Sequence, residues 1–152
     1  MKRVDALLAD YASHHRTRGN LVCHAFGITL IVFGIVSMLL AVRLPGKPSL
    51  TAAEILIGVA LVFYLSLDVA LGVAIGAELV LLDLAGRAAG DWRIGLAAFV
   101  LGWVFQGIGH ARYEKNRPAF LKNLAHLMVG PLFLVNELLR IRPVAEASRV
   151  SR

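Results

Sequence analysis

From Leu21 to Val42 the chain runs for 22 residues without an Asp, Glu, Lys or Arg. A helix of that length covers the roughly 30 Å of hydrocarbon in a bilayer. The remainder of the chain has the same character. Hydrophobic residues make up 58% of it and charged residues 17%, against about a quarter charged in soluble domains. These features predict an all-α, multi-pass membrane helical bundle, with residues 1–152 as a single integral membrane domain. The polar segment 1–20 lacks the charged-then-apolar build of a secretory signal, and no small-residue cleavage site follows the first apolar run. The first run is therefore expected to be a retained transmembrane helix.

Turn residues divide the rest. Arg43-Leu-Pro-Gly-Lys-Pro48 ends the first helix. The apolar stretch after Thr51 is too long for one crossing, and Ser66-Leu67-Asp68 is the expected break, with Asp68 as the N-cap of the next helix. Spanning helices are predicted at about 21–42, 51–65, 69–86 and 94–110. Gly72 and Gly76 have the spacing that lets membrane helices approach closely. Trp92 and Trp103 suit interfacial anchors. Beyond His110 the chain turns basic, and interfacial helices are expected over about 119–140. The first of these is Ala119–Val129, interrupted at Gly130-Pro131. Glu54, Glu78 and Asp83 lie in or beside apolar runs. Glu78 is expected to face the bundle, because an ionised carboxylate in hydrocarbon is costly.

With four crossings, twelve of the sixteen Lys and Arg residues fall on the side of the termini. That bias places both termini in the cytoplasm, whether the membrane is a bacterial inner membrane or endoplasmic reticulum. A fifth crossing would erase the bias. The net charge of +6 thus reads as membrane orientation. Nucleic-acid binding is not expected, since no basic helix with interleaved aromatics occurs. A single cysteine, Cys23, excludes an intrachain disulfide and a Cys-based zinc site, and it reads as a small apolar filler.

The same topology gathers all five histidines at one membrane face. His14, His15 and His24 surround the start of the first run, His110 closes the fourth, and His126 follows it. Imidazole is the commonest protein ligand for transition metals, and ionisable groups near a bilayer usually mark a site. His15, His24, His110 and His126 are the candidate ligands. His14, next to His15, should point elsewhere if the two share a helix. Two constellations carry them. The first is Tyr11-x3-His15-x4-Asn20-x3-His24, in which Asn20 lies one turn before His24. The second is Gln106-x2-Gly109-His110-x3-Glu114, in which the Glu114 carboxylate is placed to orient the His110 imidazole through its second nitrogen. Glu137 is expected to pair with Arg140 or a neighbouring arginine.

Read together, Tyr11-x3-His15-x4-Asn20-x3-His24-x2-Gly27 and Gln106-Gly-Ile-Gly-His110-x3-Glu114-x3-Pro118-Ala119-x3-Asn123 resemble the family of the fungal 2-hydroxy fatty acid dioxygenase. The resemblance runs from about Tyr11 to Glu137 and includes Leu67-Asp68. It departs from the family pattern at Arg16-Thr-Arg-Gly19 and at Thr29, where prolines are usual. The resemblance implies an integral membrane, Fe(II)-dependent dioxygenase of α-oxidation, using O₂ to convert a 2-hydroxy fatty acid into the acid one carbon shorter. By position, the family's essential histidines correspond to His15, His24 and His110, with His126 as a fourth. Asn20 and Glu114 are then the expected catalytic partners. Arg16, Arg112 and Arg117, together with Arg18, are the residues able to pair with the substrate carboxylate, since Arg binds carboxylates bidentately.

The alternative is a non-catalytic protein holding haem or a metal through histidines. A histidine-box hydroxylase needs closely spaced His-x3-His and His-x2-His-His boxes, and none is present. The expected partners are a fatty-acid substrate and O₂, with homo-oligomer formation left open.

Overall fold

The computed structural model describes residues 3–15, 17–114 and 125–144. Among these the chain is all-α apart from one short hairpin. The order is α1 (Arg3–Ser13), α2 (Arg18–Leu40), β1 (Arg43–Leu44), β2 (Lys47–Thr51), α3 (Ala52–Leu67), α4 (Val69–Ala89), α5 (Trp92–Ile108), a π-helical stretch (Gly109–Glu114) and α6 (Ala125–Leu139). Three helical segments are long and apolar enough to cross a membrane: Arg18–Leu40, Val69–Ala89 and Trp92–Glu114. At 16 residues, α3 is shorter. The chain divides into two compact units, Thr29–Trp103 and the pair Met1–Ile28 with Val104–Arg152.

In the unit Thr29–Trp103, α3 and α4 form an antiparallel hairpin. Asp68 opens α4 as expected, its carboxylate accepting from the Leu71 N–H at 3.0 Å. The two glycines of α4 then meet α3 directly. A Cβ at Gly72 would lie 2.7 Å from the Leu65 backbone nitrogen, and one at Gly76 would lie 2.9 Å from the Leu61 side chain. At the far end of the hairpin Arg87 bridges Glu54 and Asp83, and Glu54 also accepts from the Thr51 N–H that precedes α3. Two of the three carboxylates in or near apolar runs are therefore paired, and Glu78 is half-buried on α4. Small residues also join α2 to its neighbours. A Cβ at Gly34 would strike Phe99, and one at Gly95 or Gly86 would strike Ser37. The β1–β2 turn uses Gly46 at φ 73°, the left-handed position that glycine occupies without steric cost.

Val59, Val62, Val73 and Leu81 are each at least 60% exposed. Apolar faces of this extent are stable when lipid, rather than water, is the solvent.

In the other unit α1 packs on α6. The polar N-terminal segment is thus largely helical, because Val4, Leu8, Tyr11 and Ala12 recur at helical spacing and are buried. The helix ends at Ser13, so His14 and His15 lie in the connection and not on a shared helix. Two further boundaries differ from expectation. α5 begins at Trp92, and its winding continues beyond His110 as the π-helical stretch. α6 runs unbroken through Pro131, although proline removes one backbone hydrogen bond. Val129, Leu132, Phe133, Val135 and Asn136 are buried on either side of it, and that packing holds the helix together. The expected helix from Ala119 falls outside the described residues as far as residue 124. Asn136 accepts from the Arg142 N–H at 2.8 Å, and Arg142 donates to Asp5 on α1 at 2.7 Å.

Asp68→Ala should cost about 1 kcal/mol of stability through loss of the N-cap, read as a lower unfolding midpoint in detergent. Asp68→Asn, which keeps the acceptor, should stay close to the parent.

Candidate metal centre

The centre is built where α2 starts and α5 ends. Thr17 is the N-cap of α2: its carbonyl accepts from the Leu21 N–H at 3.0 Å and its hydroxyl oxygen from the Asn20 N–H at 3.3 Å. Glu114 closes the arrangement from the π-helical stretch. Its Oε1 accepts from the Thr17 N–H at 2.8 Å, the Thr17 hydroxyl at 3.1 Å and the Asn20 side-chain amide at 3.2 Å. A carboxylate at a helix N-terminus also meets the positive end of the dipole. Two glycines allow this approach. A Cβ at Gly19 would overlap the Tyr113 ring at 2.3 Å, and one at Gly109 would lie 2.3 Å from Asn20 Oδ1 and 3.3 Å from His24 Nδ1. A π-helical turn continuing an α-helix is itself common at functional sites.

This clamp brings His15, His24 and His110 together. One ring nitrogen from each lies within 4.8 Å of the others, and all three residues are buried. Ring centroids are 4.3 Å apart for His15 and His24, 4.8 Å for His24 and His110, and 5.2 Å for His15 and His110.

The tautomers follow from the partners. His15 Nδ1–H donates to the Tyr11 carbonyl at 2.8 Å, and His24 Nδ1–H donates to the Asn20 carbonyl at 3.0 Å. A carbonyl can only accept, so in the neutral rings both Nε2 atoms carry lone pairs. Those atoms face each other at 3.0 Å. Two lone pairs at that distance repel unless a cation sits between them. Cis ligands about 2.1 Å from a common ion would be separated by about 3 Å, so the donor set fits a transition metal. Burial, the largest influence, lowers the pKa of His15 to about 4, which keeps its ring neutral and available as a ligand near pH 7.

Tyr11 supports the cluster from α1. Its ring stacks on His15 with centroids 4.1 Å apart and planes 7° from parallel, and burial pushes its phenol pKa upward, so it stays protonated.

The four histidines proposed as ligands divide three to one. His126 stands apart from the cluster, with Nε2–H donating to Asp10 Oδ2 at 2.8 Å. His14 is exposed and touches His126 edge-on, centroids 5.5 Å apart. Asn20 is buried beside His24, with its Oδ1 unpartnered among the described residues. The Glu114 Oε1 goes to Thr17 and Asn20 rather than to His110 Nδ1, an atom also without a partner among the described residues. The carboxylate therefore secures the start of α2 where orientation of the imidazole was expected. Arg112 and Arg18 are exposed, and Arg16 and Arg117 lie outside the described residues. Thr17 was not anticipated as a site residue, and Gly109, part of the second constellation, was given no role of its own. A Thr three residues before Asn20 is a helix-start signal, but its link to Glu114, 97 positions away, has no local signature.

The His15 pKa carries a pH dependence. An unfolded chain protonates this ring near pH 6.5 and the folded chain only near pH 4, so between these values the unfolded state binds more protons. Stability should then fall as pH drops through that window. The melting temperature of metal-free, detergent-solubilised protein should decline from pH 7 to pH 4, and His15→Gln should make the decline shallower.

The chain is also similar to known proteins. The family model described as 2-hydroxy-palmitic acid dioxygenase Mpo1-like matches residues 1–141. The chain is 34% identical over 136 residues to 2-hydroxy-palmitic acid dioxygenase MPO1 of Saccharomyces cerevisiae, a match spanning 87% of this chain and 77% of that protein. No solved structure matches. A family match over nearly the whole length, with a relative above 30% identity, places this chain in the Mpo1-like 2-hydroxy-palmitic acid dioxygenase family.

Proposed function

We propose that this protein is a membrane-embedded, Fe(II)-dependent dioxygenase that uses O₂ to convert 2-hydroxy fatty acids into fatty acids one carbon shorter. The observation that carries the reading is the pair of opposed Nε2 lone pairs of His15 and His24, with His110 completing a buried three-imidazole set. The name of the yeast relative supports the substrate class. Three imidazoles leave coordination positions open, and bound Fe(II) would supply the one-electron chemistry that O₂ requires.

The chain's own residues do the positioning. The Tyr11 and Asn20 carbonyls hold the Nδ1–H of His15 and His24 and thereby aim each Nε2 inward, as carbonyl partners do for metal-ligating histidines. Glu114 keeps the start of α2 against the π-helical stretch. Asn20 Oδ1, buried and unpartnered, offers an acceptor beside the cluster. Arg112 is the described arginine closest in sequence to His110, and it is assigned to the substrate carboxylate together with Arg16 and Arg117.

In the same reading the chain crosses the membrane four times, with α3 as the fourth, short crossing. The antiparallel α3–α4 hairpin, closed by Arg87 and Glu54 at the end away from Asp68, supports that count. The Lys and Arg distribution supports a cytoplasmic location for both termini.

Metal analysis of detergent-purified protein tests the centre. About one iron per chain is expected in the parent, with most of it lost in His15→Ala, His24→Ala and His110→Ala and retained in His126→Ala. Full occupancy in all three ligand variants would overturn the assignment. Turnover of 2-hydroxypalmitate should fall by at least about 10²-fold in each of those three variants.

A further inference from the structure

His126 is the one buried histidine that the metal set does not use. It is 7% exposed, and its two nitrogens are in opposite circumstances. Nε2–H donates to Asp10 Oδ2 at 2.8 Å, whereas Nδ1 is buried with no partner among the described residues. A carboxylate accepts and cannot donate, so in the neutral ring Asp10 fixes the proton on Nε2 and leaves Nδ1 as a lone pair. An unsatisfied buried acceptor costs about 1–3 kcal/mol, and such an atom usually has a role.

Its position suggests which. Tyr11 lays one face on His15, with centroids 4.1 Å apart, and stands at 62° to His126, with centroids 5.7 Å apart. Tyr11 thus touches both His126 and a residue of the three-imidazole set. Among the described residues, the titratable groups in contact with His126 are Asp10 and Tyr11 on α1 and His14 in the turn that follows.

We propose that His126 is the proton acceptor for the substrate's 2-hydroxyl group, held in its accepting form by Asp10. This rests on the 2-hydroxy acid reading above. Of the polar groups such a substrate brings, the ionised carboxylate only accepts hydrogen bonds, and the hydroxyl is the one that can donate. The hydroxyl therefore complements Nδ1. In the step assigned to His126, the substrate O–H bond breaks and an Nδ1–H bond forms, while the electron pair stays on the substrate oxygen. The resulting imidazolium is balanced by the Asp10 carboxylate on its other nitrogen. General-base assistance of this kind contributes about 10²–10⁴-fold.

The test combines binding with turnover in the full-length chain. In metal-free protein, the ratio of Kd for palmitate to Kd for 2-hydroxypalmitate measures recognition of the hydroxyl, independently of iron. His126→Gln should reduce this ratio about three- to ten-fold. It should also leave the iron content of the as-purified protein unchanged and lower kcat by about 10²-fold or more. Asp10→Asn keeps an acceptor for Nε2–H but removes the balancing charge, so it should retain the binding preference and the iron content while lowering kcat. An unchanged preference in His126→Gln would overturn the proposal, as would an unchanged kcat in Asp10→Asn. Loss of iron in His126→Gln would reassign the residue as a ligand. A parent protein that binds no iron but keeps a His126-dependent preference would remove the metal reading and leave this one standing.

Discussion

One oxygen of the Glu114 carboxylate accepts hydrogen bonds from the Thr17 backbone, the Thr17 hydroxyl and the Asn20 amide, and the position of the three imidazoles follows from it. His24 lies two turns into α2, His15 lies just before α2, and His110 lies one turn before Glu114. Tying the first turn of α2 to the π-helical stretch brings all three into one volume. The tie is feasible because Gly19 and Gly109 carry no side chain where Tyr113 and Asn20 must pass. Remove that approach and the rings separate, whatever their own chemistry.

The cluster is costly as built from protein alone. Two neutral imidazoles point lone pairs at each other across 3.0 Å, and burial opposes the protonation that could otherwise relieve the contact at His15. Nothing in the hydrogen-bond network offsets this, because the other nitrogens of His15 and His24 are already committed to carbonyls. A bound cation would resolve the conflict directly. His126 is held by different physics: a carboxylate on one nitrogen and an open acceptor on the other. The cluster and the Asp10–His126 pair both contact Tyr11, and in the roles proposed for them they would divide metal binding from proton handling.

Much of the helical framework was legible because its causes are local. The absence of charge over Leu21–Val42, the capping carboxylate of Asp68 and the small-residue spacing of Gly72 and Gly76 act through neighbours in sequence, and the structure realises each of them. α1 was partly legible through the spacing of Val4, Leu8, Tyr11 and Ala12. Reading it as a polar segment gave weight to its charges over its buried face. Pro131 misled for the opposite reason. Proline penalises a helix locally, and burial of the residues around it outweighs that penalty.

Sequence by itself determined that this chain is a bundle of apolar helices and that the histidines of its two motifs belong to one site, since hydropathy period, capping and charge bias are properties of short stretches. Tertiary structure alone decided which imidazoles lie close enough to share an ion. His126 and His15 are the same residue type in equally suggestive positions, and only the placement of Asp10 against one and of His24 against the other separates their roles. Which rings meet turns on ångström distances between side chains about a hundred residues apart, and spacing along a chain does not encode them.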